Sequence, residues 1–206
     1  MHIALADAYA ERYEKRLTSI ADALQTYLRD ILRGQPRIDR VTARAKEPAR
    51  FLAKASKKEN GKKKYRDPLT EIQDQVAARI VTLYLSDVER LQTAIEPYFG
   101  SVEHKRLEPE SSSEFGYEGE HYVLLLPDEA FPRPLSRRDG PTLFELQIKT
   151  VYQHAWSEAG HDLIYKSAIP LTRDHLRKAA FTAAQSWGAD LIFDGLSAEL
   201  LSRGAH

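Results

Sequence analysis

The stretch FELQIKT alternates apolar Phe144, Leu146 and Ile148 with polar Glu145, Gln147 and Lys149, so one face of a strand would carry a carboxylate, a carboxamide and an ammonium. A carboxylate on rigid β-structure can hold a metal ion or accept a proton, although the same pattern also describes an exposed sheet face. In DQVAARI, Asp74 stands where a strand begins and Arg79 follows five residues on. An aspartate there also suits a turn. Together Asp74 and Glu145 offer two hard oxygen ligands on neighbouring strands, a set that suits Mg2+ better than a softer metal. RAKEPARFLAK places Arg44 and Lys46 at the end of a strand, with Arg50 and Lys54 one turn apart at the start of a helix. Cations and backbone N–H groups at a helix N-terminus form an anion site, and a string of phosphates would fit it. HAWSEAGHD sets His154, Glu158 and His161 on one side of a helix, either as a zinc-type cluster or as packed polar residues. Finally, FGYEGEHY brings Tyr117 and His121 to the start of an apolar run, beside Gly116 and Gly119.

These side chains need elements to hold them. From Ala4 to about Leu32 the apolar residues recur at helical spacing, and Gly34 and Pro36 stop the pattern. RIDRVTARA (37–45) alternates as a strand. EPARFLAKASKK then opens a helix at Pro48, a permitted place for proline. KENGKKKYRDP is expected to be a polar loop. A strand begins near Val76, and SDVERLQTAIEPYF is an amphipathic helix capped by Ser86 or Asp87. Strands are expected at about 100–107, 120–126 and 142–149, the last two separated by a proline-rich loop. TVYQHAWSEAGHDLIYK and about 171–202 read as helices. The sum is an α+β domain with a mixed sheet of about five strands flanked by helices. An N-terminal helix (1–36), a core (37–170) and a C-terminal helical extension (171–206) would form one compact unit.

The chain has 206 residues, 42% hydrophobic and 29% charged, which excludes a disordered chain. No apolar run approaches ~18 residues, so no helix that spans a membrane is expected. The N-terminus becomes charged too early for a signal peptide, and a soluble cytoplasmic protein is the expectation. Cysteine is absent, which excludes disulfides, thiolate zinc sites and cysteine catalysis. Net charge is zero, but its distribution is uneven. Lysine and arginine crowd residues 44–66, where only Glu47 and Glu59 oppose them, while glutamates dominate 103–120. Such a cationic segment either solvates a loop or holds phosphate. Neither GxxxxGK[ST] nor GxGxxG occurs, so the two commonest nucleotide signatures are missing.

In order along the chain, these motifs resemble the RelA/SpoT synthetase domain, the nucleotide pyrophosphokinases that make (p)ppGpp. That family carries R-x-K-x(3)-S-x(3)-K, here Arg44, Lys46 and Lys54, then D-x(4)-R, here Asp74 and Arg79. It continues with G-Y-x-S-x-H, here Gly116, Tyr117 and His121, and with E-x-Q-I-[RK]-T, here Glu145 to Thr150, followed by a helix ending in Tyr165-Lys166. The match spans about 40 to 166. It implies a nucleotidyltransferase-like synthetase fold that moves the β,γ-diphosphate of ATP to the ribose 3′-hydroxyl of GDP or GTP.

The resemblance also assigns roles. Arg44 and Arg79 would sandwich the adenine, while Lys46, Arg50 and Lys54 would line the donor phosphates. Asp74 would bind Mg2+, and Glu145 would share the metal or take the 3′-hydroxyl proton. Tyr117 would stack on the acceptor base, a contact of ~1–3 kcal/mol by analogy with base–aromatic stacking. His121 and Gln147 would shape the acceptor pocket. The family serines fall on Arg50 and Gly119, and EPESSSEF stands where the family has basic residues for the acceptor's 5′ phosphates. Acid there repels a polyphosphate. The alternatives are therefore a toxic relative that modifies the tRNA 3′ end, an adenosine-nucleotide acceptor, or an inactive nucleotide-binding regulator. The last is disfavoured by retention of Asp74 and Glu145. An antitoxin partner and a homo-oligomer are compatible with each reading.

Overall fold

A computed structural model describes residues 2–109, 111, 114–116, 119–165 and 167–203. The helical spacing of the N-terminus becomes α1 (His2–Arg12) and α2 (Thr18–Ile31), joined without a break by a π-helical turn at Tyr13–Leu17. β1 (Ile38–Ala45) follows, then α3 (Pro48–Ala55) with Pro48 in its first turn, where the missing N–H costs nothing. The lysine-rich segment differs from the expected loop. It forms a hairpin, β2 (Lys58–Glu59) against β3 (Lys62–Lys63). Asn60 (φ 51°) and Gly61 (φ 77°) make its turn, and Asn-Gly readily takes the left-handed backbone that matches strand twist.

The chain continues through α4 (Pro68–Glu71), β4 (Val76–Thr82), α5 (Leu85–Ile95), β5 (Ser101–Leu107), β6 (Gly119–Leu125), β7 (Leu143–Thr150), α6 (Val151–Gly160) and α7 (Arg173–Arg203). Five strands make one sheet in the order β1-β4-β7-β6-β5, with β4 and β7 parallel and the other pairs antiparallel. The mixed sheet and flanking helices match the expected class.

Alternation gives the sheet two unlike faces. Val41, Ala45, Val76, Ala78, Ile80, Phe144, Leu146 and Ile148 face a core shared with Leu17, Ile20, Leu24 and Leu28 and with Leu91 and Ile95 of α5. The opposite face is polar and is partly crossed by α6. There is no loop between β7 and α6. Thr150 ends the strand and caps the helix, accepting from Gln153 N (3.0 Å) while Gln153 Oε1 accepts from Thr150 N (3.1 Å), a reciprocal box. Thr150 also donates to Asp190 of α7 (2.8 Å). α7 leaves Leu191, Ile192, Leu196, Leu200 and Leu201 exposed, and an apolar cavity of about 590 Å3 lies between it and α6. Among the described residues no helix is long and apolar enough to cross a membrane.

The expected cap of α5 is corrected by the structure. Tyr84 precedes the helix without capping it, and the first-turn N–H of Ser86 donates instead to Asp194 Oδ1 of α7 (2.9 Å). The Ser86 hydroxyl bonds the same oxygen, and Asp87 is fully buried, accepting from Arg37 Nη2 (2.6 Å) and Arg90 Nη2 (3.0 Å). Burial alone would raise the Asp87 carboxyl, but the bonds from Arg37 and Arg90 outweigh it and hold the group below its ordinary value. A depressed carboxyl adds stability above the unfolded pKa of about 3.9 and loses it as pH falls through the folded value. We expect Asp87→Asn to cost about 2–3 kcal/mol at neutral pH, given charge-assisted bonds to a buried group. Urea unfolding from pH 7 to pH 2 should show the gap to the wild type closing below about pH 4. A gap independent of pH would mean that the carboxylate charge contributes nothing.

Candidate active site

Strand register assembles the polar face. Arg79 of β4 sits opposite Gln147 of β7, which sits opposite His121 of β6, and the neighbouring row pairs Arg44 of β1 with Ala77 and Ala77 with Glu145. Residues two apart on a strand share a face, so Arg44, Arg79, Glu145, Gln147 and His121 all lie on one side of the sheet. Gln147 Nε2 donates to Glu145 Oε1 (2.5 Å), and His121 Nδ1 stands 3.7 Å from the same oxygen. Burial pulls the His121 imidazolium below its ordinary value, with the Glu145 carboxylate opposing in part.

The cationic end of this face is built where β1 runs into α3. Lys46 N donates to Gln75 O (2.8 Å), tying that corner to the turn at Gln73–Gln75 that carries Asp74. Tyr9 of α1 braces the corner from behind: its hydroxyl donates to Lys46 O (2.8 Å), and its ring stacks on Phe51 of α3 at 3.6 Å. Lys46 Nζ and Lys54 Nζ both reach Asp74 Oδ2, at 2.8 and 3.0 Å. Burial would raise the Asp74 carboxyl, but the two ammonium groups prevail and hold it below its ordinary value. Asp74 Oδ1 is buried and has no hydrogen-bond partner. Burial first, and then the neighbouring Arg50 and Arg79, pull the Arg44 guanidinium below its usual value. Such crowding of like charge marks a place prepared for anions.

These groups line one open cleft of about 1000 Å3 that includes Arg44, Lys46, Arg50, Lys54, Asp74, Arg79, Glu145 and Gln147. Asp74 lies in the turn just before β4 and Glu145 on its parallel neighbour β7. Tyr117 and Lys166 lie outside the described residues. The zinc-type alternative for α6 is not realised: among the described residues no group of three or more His, Asp or Glu side chains is placed to hold a metal ion. Two of those side chains meet Arg79 instead, with Glu158 Oε1 at 2.6 Å and His154 Nδ1 at 3.1 Å from Nη1. Lys149 was given no role by sequence, although its alternation with Glu145 and Gln147 marked the face it occupies. It is buried, donates to Ser157 Oγ (3.3 Å), and is pushed down to about 7 by burial first and by Arg79 next.

The sequence profile described as "Region found in RelA / SpoT proteins" matches residues 43–169, which contain every cleft-lining side chain of the β1, α3, β4 and β7 motifs. The chain belongs to the RelA/SpoT family. No curated protein sequence matches it. Its fold is that of small alarmone synthetase 1 from Bacillus subtilis, with a TM-score of 0.75 at 20% identity over 95% of this chain and 97% of that one. Structures of that relative bound to its product pppGpp and bound to AMPCPP superpose with TM-scores of 0.72 and 0.69, at 20% and 18% identity. They cover 94% and 95% of this chain and 96% and 97% of those chains. A GTP pyrophosphokinase family protein from Streptococcus pneumoniae gives 0.73 at 18% identity, covering 96% of this chain and 95% of that one.

The brace beneath the cationic corner is open to a direct test. Phe51 is fully buried, and its truncation removes the ring on which Tyr9 stacks. We expect Phe51→Ala to cost about 3–5 kcal/mol, the usual loss for a buried phenylalanine. The measurement is the urea midpoint at unchanged slope. A loss below about 1 kcal/mol would mean that α3 is held elsewhere.

Proposed function

We propose that this chain is a pyrophosphotransferase that moves the β,γ-diphosphate of ATP to the ribose 3′-hydroxyl of a guanosine nucleotide. The observation that carries the reading is the single cleft in which Arg44, Lys46, Lys54 and Arg79 converge with Asp74 and Glu145. The AMPCPP and pppGpp complexes of the B. subtilis relative support a nucleotide donor and a guanosine product on this fold. Arg44 and Arg79 bind the donor base, and Lys46 and Lys54 exchange Asp74 for phosphate oxygens. Arg50 stands at the edge of the same cleft and adds a further cation. Gln147 and His121 flank the acceptor ribose, and Tyr117 stacks on its base.

In the transfer, the 3′-oxygen bonds to the β-phosphorus of ATP, and the bond from that phosphorus to the α,β-bridging oxygen breaks, so AMP leaves. The hydroxyl proton passes to Glu145, whose Oε1 is already oriented by Gln147. Catalysis of this kind rests on positioning and on cations around the moving phosphoryl groups. The unpartnered Oδ1 of Asp74 and the Glu145 carboxylate suit a hard divalent ion such as Mg2+, which when bound would neutralise phosphate charge.

The test is incubation with γ-labelled ATP and Mg2+ beside separate pools of GDP, GTP, ATP and bulk tRNA. Label is expected in a guanosine product. Transfer to no acceptor would sink the enzyme reading in favour of a binding module. Asp74→Asn and Glu145→Gln should each abolish transfer while leaving the unfolding transition cooperative. Near-normal turnover in either variant would return the pair to a solvated sheet face.

One observation favours a second reading, transfer to the tRNA 3′ end. The hairpin β2–β3 raises Lys58, Lys62 and Lys63 on exposed backbone beside the donor cleft, and Lys57 at its base lines that cleft. If tRNA is the acceptor, changing Lys58, Lys62, Lys63 and Lys64 to Gln, with the cleft-lining Lys57 kept, should weaken tRNA binding and flatten its salt dependence. The same change should spare transfer to a free nucleotide. Equal loss on both acceptors would assign the hairpin to ATP binding or folding, and no loss on either would leave it a solvated flap.

A further inference from the structure

Arg79 is the donor-base residue of the reading above, yet it comes from the middle of a strand and its long side chain needs something to orient it. Two residues of α6 do this. Nη1 lies 2.6 Å from Glu158 Oε1 and 3.1 Å from His154 Nδ1 and donates to both. The N–H groups of a guanidinium lie in its plane. Both contacts therefore use the edge of the group and leave its π face unspent, and it is the face that stacks on a flat ring. Arg79 is mostly buried while Glu158 is more than half exposed (21% and 58%). With one partner this exposed, the pair is screened by water on the Glu158 side and adds only modestly to fold stability.

His154 completes the grip. Burial first and Arg79 second hold its imidazolium below the ordinary value, so the ring is neutral at neutral pH and its Nδ1 lone pair accepts from Nη1. The spacing that the sequence set out as His154 and Glu158, four apart on one helix side, is thus the spacing needed to bracket one terminal nitrogen. The capping box at Thr150 fixes the helix that carries them to the strand that carries Glu145.

We propose that Glu158 and His154 are positioning residues for the donor base, holding the Arg79 guanidinium by its edge so that its face is set for a purine. This rests on the pyrophosphotransferase reading for the identity of the base. Arginine pays a large side-chain entropy when it is ordered, and a side chain already fixed loses less when the ligand arrives. The base would in turn shield the pair from water and strengthen it.

The test is calorimetric titration of the full chain with AMPCPP and, separately, with inorganic tripolyphosphate, which carries the phosphates without a base. Glu158→Ala is expected to weaken AMPCPP about tenfold and to leave tripolyphosphate unchanged, with Glu158→Gln falling between the wild type and alanine. In an Arg79→Ala background, Glu158→Ala should cause no further loss, because it acts only through that arginine. Equal loss for both ligands, or additive losses in the double variant, would show a general structural role and overturn the proposal. Tighter AMPCPP binding by Glu158→Ala would also overturn it, since Glu158 would then compete with the nucleotide for Arg79. Unchanged AMPCPP binding has the same force. If wild-type protein binds AMPCPP but transfers nothing to any acceptor, the enzymatic reading fails while the positioning role stands on the binding data. If it binds no AMPCPP, both fail.

Discussion

The parallel pairing of β4 with β7 sets the position of nearly everything else in the cleft. Arg79 lies beside Gln147 and Ala77 beside Glu145 because the two strands run together in that register. A shift of one residue would turn Glu145 and Gln147 into the core and send Leu146 out to the cleft. What prevents the shift is the opposite face, where Ala78, Ile80, Leu146 and Ile148 are buried against α2 and α5. The arrangement of charge on one face is thus enforced by hydrophobic burial on the other. β1 and β6 then extend the same rows, adding Arg44 on one side and His121 on the other.

Charge balance is the second constraint. Arg44, Lys46, Arg50, Lys54 and Arg79 crowd one cleft, and burial together with Arg50 and Arg79 holds the Arg44 guanidinium below its usual value. Asp74 and Glu158 hold three of these cations by carboxylate contacts. The cations are mostly buried, so a carboxylate could leave them only if another anion took its place. The two carboxylates therefore keep these cations ordered within the cleft.

Much of this was legible in the residues. Alternation marks β1 and β7, apolar strand-like runs mark β4 and β6, helical spacing marks the long helices, and the ordered motifs group Arg44, Lys46, Lys54, Asp74, Arg79 and Glu145 in sequence. The misses share a physical cause. Asp87 looked like a helix cap because its partner Arg37 is fifty residues away, and local propensity cannot register a distant guanidinium. The grip of Glu158 on Arg79 spans a still longer separation, so periodicity placed both on helix and strand but not on each other. The lysine hairpin is a different case. Its Asn60-Gly61 signal was local and present, but charge density drew the reading toward a loop. α7 shows a further limit, since its apolar residues surround the helix and give no preferred face from which to infer what it packs against.

The shared residue at the end of β7 has a consequence for how the chain can vary in length. Thr150 belongs to the strand by its pairing with Thr82 and to α6 by its cap, so the junction contains no slack. One inserted residue there would rotate α6 by about 100° and advance it by about 1.5 Å. Glu158 would swing away from Arg79, and the strand would keep its register while the helix lost its aim. Additions to the proline-rich connection at 127–142 or to the tip of the β2–β3 hairpin would disturb neither, because loop closure grows slowly more costly with length. Insertions and deletions should therefore accumulate at those two places and be purged from the strand–helix joint, which acts as a gauge of fixed length between the Glu145 carboxylate and the Arg79 guanidinium.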